Sequence, residues 1–122
     1  MAEVLVYVTA ASRDHALLIG RQLVEERLAA CVNVLGPIAS IYRWEGEVCE
    51  DEEVAFIAKT RAELVPALSE RVHDLHDYDT PCIVAVEIAG GNPEFLSWIG
   101  EQCLDPAAIP AEQDAEQPEP RA

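Results

Sequence analysis

Val4-Leu5-Val6-Tyr7-Val8 is apolar at every position, with Val4, Val6 and Val8 on one side of an extended chain and Leu5 and Tyr7 on the other. Such a run predicts a strand buried on both faces. After Thr9-Ala10-Ala11 the period changes. Ala16, Ile19, Leu23, Val24 and Leu28 recur at helical spacing, and Arg21, Gln22, Glu25 and Glu26 fall mostly outside that stripe. Ser12 stands where an N-cap belongs and Asp14 lies near the positive helix end, so a helix is predicted from Ser12 to about Ala29.

Cys31 to Leu35 reads as a strand, Gly36-Pro37 punctuates it, and Ile38 to Trp44 continues extended; one bent strand and two separate strands both fit. Glu45-Gly46-Glu47 is a hairpin turn, and the return strand runs from about Val48 to Ala58 with an acidic start at Glu50 to Glu53. Thr60 and Glu63 have capping-box spacing. Pro66 is tolerated only in a first helical turn, so the second helix starts near Leu64 or holds Pro66 just inside it. Val65, Leu68, Val72 and Leu75 form its stripe, Asp77 to Pro81 ends it, and Cys82 to Ile88 is a fourth strand. After the loop Gly90 to Pro93, a short helix from Glu94 to Cys103 carries Phe95, Leu96, Trp98 and Ile99.

The order β-α-β-β-α-β plus a C-terminal helix is that of an α+β ferredoxin-like split βαβ sandwich, spanning residues 1–104. Residues 105–122 are acidic and rich in Pro and Ala, with Ile109 the one large apolar residue, which predicts a disordered tail. Two helices cover one face of such a sheet. Yet the fourth strand sets Ile83 and Ala85 against Val84, Val86 and Ile88, and on the return strand Val54, Phe56 and Ala58 alternate with Ala55 and Ile57. A sheet with one wet face alternates apolar with polar. This one demands a second cover, and other copies of the chain are the common source.

The 122 residues make one domain, and half of them are hydrophobic, enough for a core without staples. Asp and Glu outnumber Lys and Arg by 23 to 8, a net charge of −15 that opposes nucleic-acid backbones. No apolar run approaches the ~20 residues that span a bilayer. The start Met1-Ala2-Glu3-Val4 has no basic segment or cleavage site, so the expected compartment is the cytoplasm. Cys31, Cys49, Cys82 and Cys103 form no CxxC pair and are expected as free thiols, with Cys31 and Cys82 as small buried hydrophobes.

His73 and His76 lie three apart on the second helix, with Glu70 and Asp77 adjacent in projection. Two imidazoles on one helix side suit a metal, and histidines at a helix end also suit its exposed carbonyls. Tyr42 and Trp44 share a strand face, as do Glu53 and Lys59, the sole lysine, which can pair with an acid or orient an anion. Ser12, Ser40, Ser69 and Ser97 sit in no motif, and no nucleophile-base-orienter set is legible, so no enzyme is expected. Arg13 near a helix N-terminus lacks the glycine-rich cradle that phosphate chemistry on this fold would want. RNA recognition on the same fold is opposed by the charge.

The run Glu25-Glu26-Arg27-Leu28-Ala29-Ala30-Cys31-Val32-Asn33, then Ser40-Ile41-Tyr42-Arg43-Trp44-Glu45-Gly46, Glu52-Glu53-Val54, Lys59-Thr60, His76-Asp77-Tyr78 and Trp98-Ile99 closely resembles the CutA divalent-cation-tolerance family from about Val4 to Ile99. The resemblance implies a compact, non-enzymatic homotrimer whose long hairpins extend sheets between neighbours, with a role in tolerance of divalent cations, notably copper. It also implies that Tyr42, Trp44, Glu53, Lys59 and Tyr78 line an intersubunit cleft for ions or small molecules. The family's His-Pro-Tyr-Glu-x-Pro pattern is matched at His76, Tyr78 and Pro81, with Asp77 and Asp79 departing from it. Relatives that bind copper use a cysteine and a doubled histidine where this chain has Val8 and Leu75 beside His76, so of those ligands only His76 carries over. The alternative is a small-molecule sensor similar in architecture to the PII signalling proteins.

Overall fold

The computed structural model describes residues 2–109. Strand β1 (Glu3–Ala10) leads into helix α1 (Arg13–Glu25), strands β2 (Cys31–Trp44) and β3 (Glu47–Arg61), helix α2 (Val65–Leu75), strand β4 (Ile83–Glu87) and helix α3 (Pro93–Gln102). The strands form one antiparallel sheet in the order β2-β3-β1-β4, the ferredoxin-like arrangement. No helix among the described residues is long and apolar enough to cross a membrane. The tail expected from Asp105 lies outside the described residues beyond position 109. Its first part makes a 3-10 turn (Pro106–Ala108) capped by the Asp105 carboxylate, and Ile109 packs against the core.

Partners across the sheet share a face, so the register sorts every side chain. Val4, Val6 and Val8, with Phe56 and Ala58 opposite, turn toward α1 and α2 and join Ile19, Leu23, Leu68 and Val72 in one buried core. α1 approaches β2 closely at Gly20, where an added Cβ would stand 2.9 Å from Val32 Cγ1. Pro66 sits in the first turn of α2, where its missing N–H costs nothing, and a 3-10 turn (Ala62–Leu64) precedes it. Thr60 serves no capping box: its hydroxyl is buried and donates to the Leu28 carbonyl at 2.7 Å.

α1 ends at Glu25, three residues short of Leu28, the last residue of its apolar stripe. Arg27 adopts a left-handed φ of 62°, and the Arg27 and Leu28 N–H groups return to the Val24 and Leu23 carbonyls. This is a Schellman closure with arginine where glycine is usual. Tertiary contacts offset the strain. The Arg27 guanidinium donates to the Gln102 and Glu101 carbonyls at the end of α3, and the Arg27 carbonyl accepts Leu104 N–H at 2.7 Å.

The helices are also joined by a forked ion pair, Arg71 Nε and Nη2 donating to the Glu26 carboxylate at 2.9–3.0 Å. The Arg71 hydrogen bond holds the Glu26 carboxyl below its ordinary 4.5. A depressed acid stabilises the fold above its unfolded value and loses that contribution as the pH falls through the folded one. Glu26→Gln should therefore cost about 0.5–1 kcal/mol near neutrality for so accessible a pair. The cost should shrink below pH 4.5, as urea denaturation across pH would show.

β2 and β3 remain paired far beyond the sheet. β3 meets β1 only from Val54 onward, so residues 38–53 form a two-stranded arm, closed by a turn with positive φ at Glu45 (51°) and Gly46 (83°). Gly36-Pro37 marks a register shift within the single strand β2. The sheet side away from α1 and α2 is open. Leu5 and Tyr7 lie opposite Val86 and Val84 there, with Leu35 on β2, and Tyr7, Leu35, Val84 and Val86 are 37%, 44%, 52% and 54% exposed. α3 buries Ile99 against Ala30, Leu64 and Cys103 and leaves Phe95 and Trp98 stacked and exposed. All four cysteines are free; Cys103 is the buried one, Cys31 is half-buried and Cys82 exposed. The expectation of burial for Cys31 and Cys82 fails in the single chain. Cys31 pairs with Lys59 on the open side, and Cys82 precedes the edge strand β4.

Candidate cation site and the adjoining arm

Antiparallel pairing of β1 with β4 sets Val8 opposite Ile83, so the β1–α1 and α2–β4 connections meet at one end of the sheet. Ser12 caps α1 by accepting His15 N–H at 3.1 Å, which fixes His15 in the first turn. His76 ends α2 and turns its ring under Thr9, with Nε2 2.7 Å from the Thr9 carbonyl oxygen. A carbonyl only accepts, so Nε2 carries the proton, and Nδ1 accepts Tyr78 N–H at 3.1 Å. The His15 and His76 rings meet edge to face at 5.7 Å.

Asp77 closes the group. His15 Nε2 lies 2.9 Å from Asp77 Oδ1. It is nonetheless shielded from solvent without an aligned hydrogen bond. His15, His76 and Asp77 each bring one ligating atom within 4.8 Å of the others. Two imidazoles and a carboxylate suit borderline divalent ions such as Cu²⁺, Ni²⁺ and Zn²⁺, whereas soft Cu⁺ prefers sulfur. His15 Nε2, in 2.9 Å contact with the Asp77 carboxylate but without an aligned hydrogen bond, stands where a cation would take the place of a shared proton.

The predicted site residues separate into two places. His76 belongs to this group; His73 instead contacts the Asp79 carbonyl at 3.1 Å. Tyr78 donates from its hydroxyl to Glu53 Oε2 at 2.8 Å, and Tyr42 donates to Asp51 on the arm. Burial, and then the Glu53 carboxylate, push the Tyr78 phenol up to about 12. The Asp51 hydrogen bond does the same for Tyr42, also to about 12. Cys82 is exposed as a residue, yet desolvation of its sulfur and then the charge of Glu53 raise the thiol, against a lowering hydrogen bond from Thr9. Trp44 is exposed near the arm's tip. Lys59 donates to Asn33 Oδ1 at 2.6 Å, with Nζ 5.8 Å from the Phe95 ring centre. It makes no ion pair with Glu53, because six residues of strand separate the two by about 20 Å. His15 escaped the sequence reading as a ligand, and Asp77 entered it only as a neighbour of His76. The usable signal was the Ser12 cap together with a topology that joins those two connections.

The CutA1 divalent ion tolerance protein family matches residues 4–102. The chain belongs to that family. The CutA protein of Thermus thermophilus, named a divalent-cation tolerance protein, is 50% identical over 99 residues, covering 81% of this chain and 96% of its own length. The mouse protein CutA is 44% identical over 93 residues, 76% of this chain, and the chain spans about half of that relative (52%). Among solved structures, the Thermus CutA1 superposes with a TM-score of 0.81 at 50% identity, covering 83% of this chain and 98% of its own. Rice CutA1 gives 0.83 at 38%, covering 86% and 96%. The family match runs from Val4 in β1 to Gln102 at the end of α3. The family description names tolerance of divalent ions and no reaction.

Proposed function

We infer that this chain is a homotrimeric divalent-cation tolerance protein that acts by holding the cation, copper among the candidates, on His15, His76 and Asp77. The observation that carries the cation reading is the His15 nitrogen, shielded and without an aligned hydrogen bond beside Asp77, within reach of a second imidazole. The Thr9 carbonyl holds His76 in orientation, as a carbonyl does for metal-ligating imidazoles. The open apolar side of the sheet supports the assembly.

Calorimetric titration of the purified chain with Cu²⁺ and Zn²⁺ tests this. One saturable site per chain is expected. His76→Ala should weaken it at least about ten- to a hundredfold, the range seen when even outer-shell partners of a metal are lost. His73→Ala should leave it intact. Unchanged affinity in His76→Ala would retire the assignment.

A second reading, a PII-like sensor of a small anionic ligand, is favoured by Lys59, whose ammonium lies beside Asn33 and Phe95 on the open side. Saturable binding of a co-purifying metabolite with all cations chelated would select it.

A further inference from the structure

We propose that cation capture at the His15–His76–Asp77 group is coupled to the hairpin arm through Tyr78, which cannot keep its present contacts once the site is loaded. This rests on the cation reading above.

Both nitrogens of the His76 ring are in use. Nε2–H donates to the Thr9 carbonyl and Nδ1 accepts Tyr78 N–H. A cation needs a lone pair, and a neutral imidazole has one. If the cation binds Nδ1, it takes the pair that Tyr78 N–H now uses. If it binds Nε2, the ring proton must move to Nδ1, and that N–H then faces the N–H of Tyr78. In either case the Tyr78 amide loses its acceptor. Asp77, the third ligand, lies in the same turn between His76 and Tyr78, so drawing its carboxylate onto the cation moves the same stretch of backbone.

Tyr78 reaches the arm from its other end. Its ring packs on His76 with centres 4.5 Å apart, and its hydroxyl donates to Glu53 Oε2. Glu53 pairs across the hairpin with Ile38, at the root of the two-stranded arm. A shift of the Tyr78 backbone is thus carried by one side chain to the point where the arm leaves the sheet. Coupling of this kind is reciprocal: whatever holds Tyr78 on Glu53 weakens the cation, and the cation weakens that bond.

The test uses the full chain and Zn²⁺, which is diamagnetic. Zinc affinity is measured by calorimetry for the parent, Tyr78→Phe and Glu53→Gln, and exchange of the Tyr78 amide proton is followed by NMR with and without zinc. Tyr78→Phe keeps the backbone N–H and removes the arm contact. It should bind zinc about three- to tenfold more tightly, the worth of an ordinary hydrogen bond. Glu53→Gln should move in the same direction, and the parent's Tyr78 amide should exchange faster when zinc is bound. Equal affinity in all three proteins, or an unchanged Tyr78 amide under saturating zinc, would overturn the coupling and leave the cation site standing. Failure of the parent to bind zinc or copper would overturn both.

Discussion

Replacing Val84 and Val86 together by aspartate should leave the chain monomeric at micromolar concentration, where the parent is expected to sediment as a trimer. Both valines point away from α1 and α2, opposite Tyr7 and Leu5, and both are more than half exposed in the single chain. Each is already about half buried, so association that removes the rest from water is worth roughly 1 kcal/mol per valine. A carboxylate in its place must be desolvated as well. Two such positions per chain lower the association constant by at least about a hundredfold, since each 1.4 kcal/mol is tenfold. The same exposure makes the substitution mild for the isolated fold, whose core they do not enter. Sedimentation and far-ultraviolet dichroism together decide the matter. A folded monomer is the expected result, and an undiminished trimer would show that this side of the sheet is not the contact.

Phe56→Ala acts on the opposite side of the same sheet and should cost about 3–5 kcal/mol of stability. Phe56 is fully buried, lies between Val8 and Val34 in the sheet register, and belongs to the core cluster under the helices. Removing the ring leaves a cavity among residues pinned by strand pairing on both sides, so little collapse can fill it. Domains of this size have about 5–15 kcal/mol in total, so the variant approaches the limit of folding. Urea denaturation at one fixed chain concentration measures the loss, because association would otherwise shift the midpoint. A cost below about 1 kcal/mol would mean that the site repacks, contrary to the density expected of such a core.

Phe56 and helix α1 show how unevenly the structure was legible beforehand. The alternation of Val54, Phe56 and Ala58 with Ala55 and Ile57 predicts which side chains share a face, and the register agrees: Phe56 and Ala58 join the core under the helices. The Glu45-Gly46 turn and the Ser12 cap are local events, so local sequence predicts them. Helix α1 is a different case. Its stripe continues through Leu28, yet the helix stops at Glu25, because Arg27 is held left-handed by carbonyls of α3 that lie 74 and 75 residues away. Thr60 likewise has the spacing of a cap but bonds Leu28 across the fold. In each case a long-range hydrogen bond outweighs a local preference worth only about 1 kcal/mol.

Periodicity and turn chemistry by themselves determined the order of the elements, the two-sided apolar character of β1 and β4, and the absence of a legible catalytic set. Family membership was readable in short runs from Glu25 to Ile99. What only the folded chain decided was proximity. His15 and Asp77 are 62 residues apart, and no spacing rule joins them; antiparallel pairing of β1 with β4 brings their loops together. The same closure turns His76 toward Thr9 and brings Tyr78 to Glu53 on β3. Side-chain direction along one element is set by backbone geometry, which sequence encodes locally. Contact between elements depends on how sheets and helices close around a core, and that is a property of the whole chain.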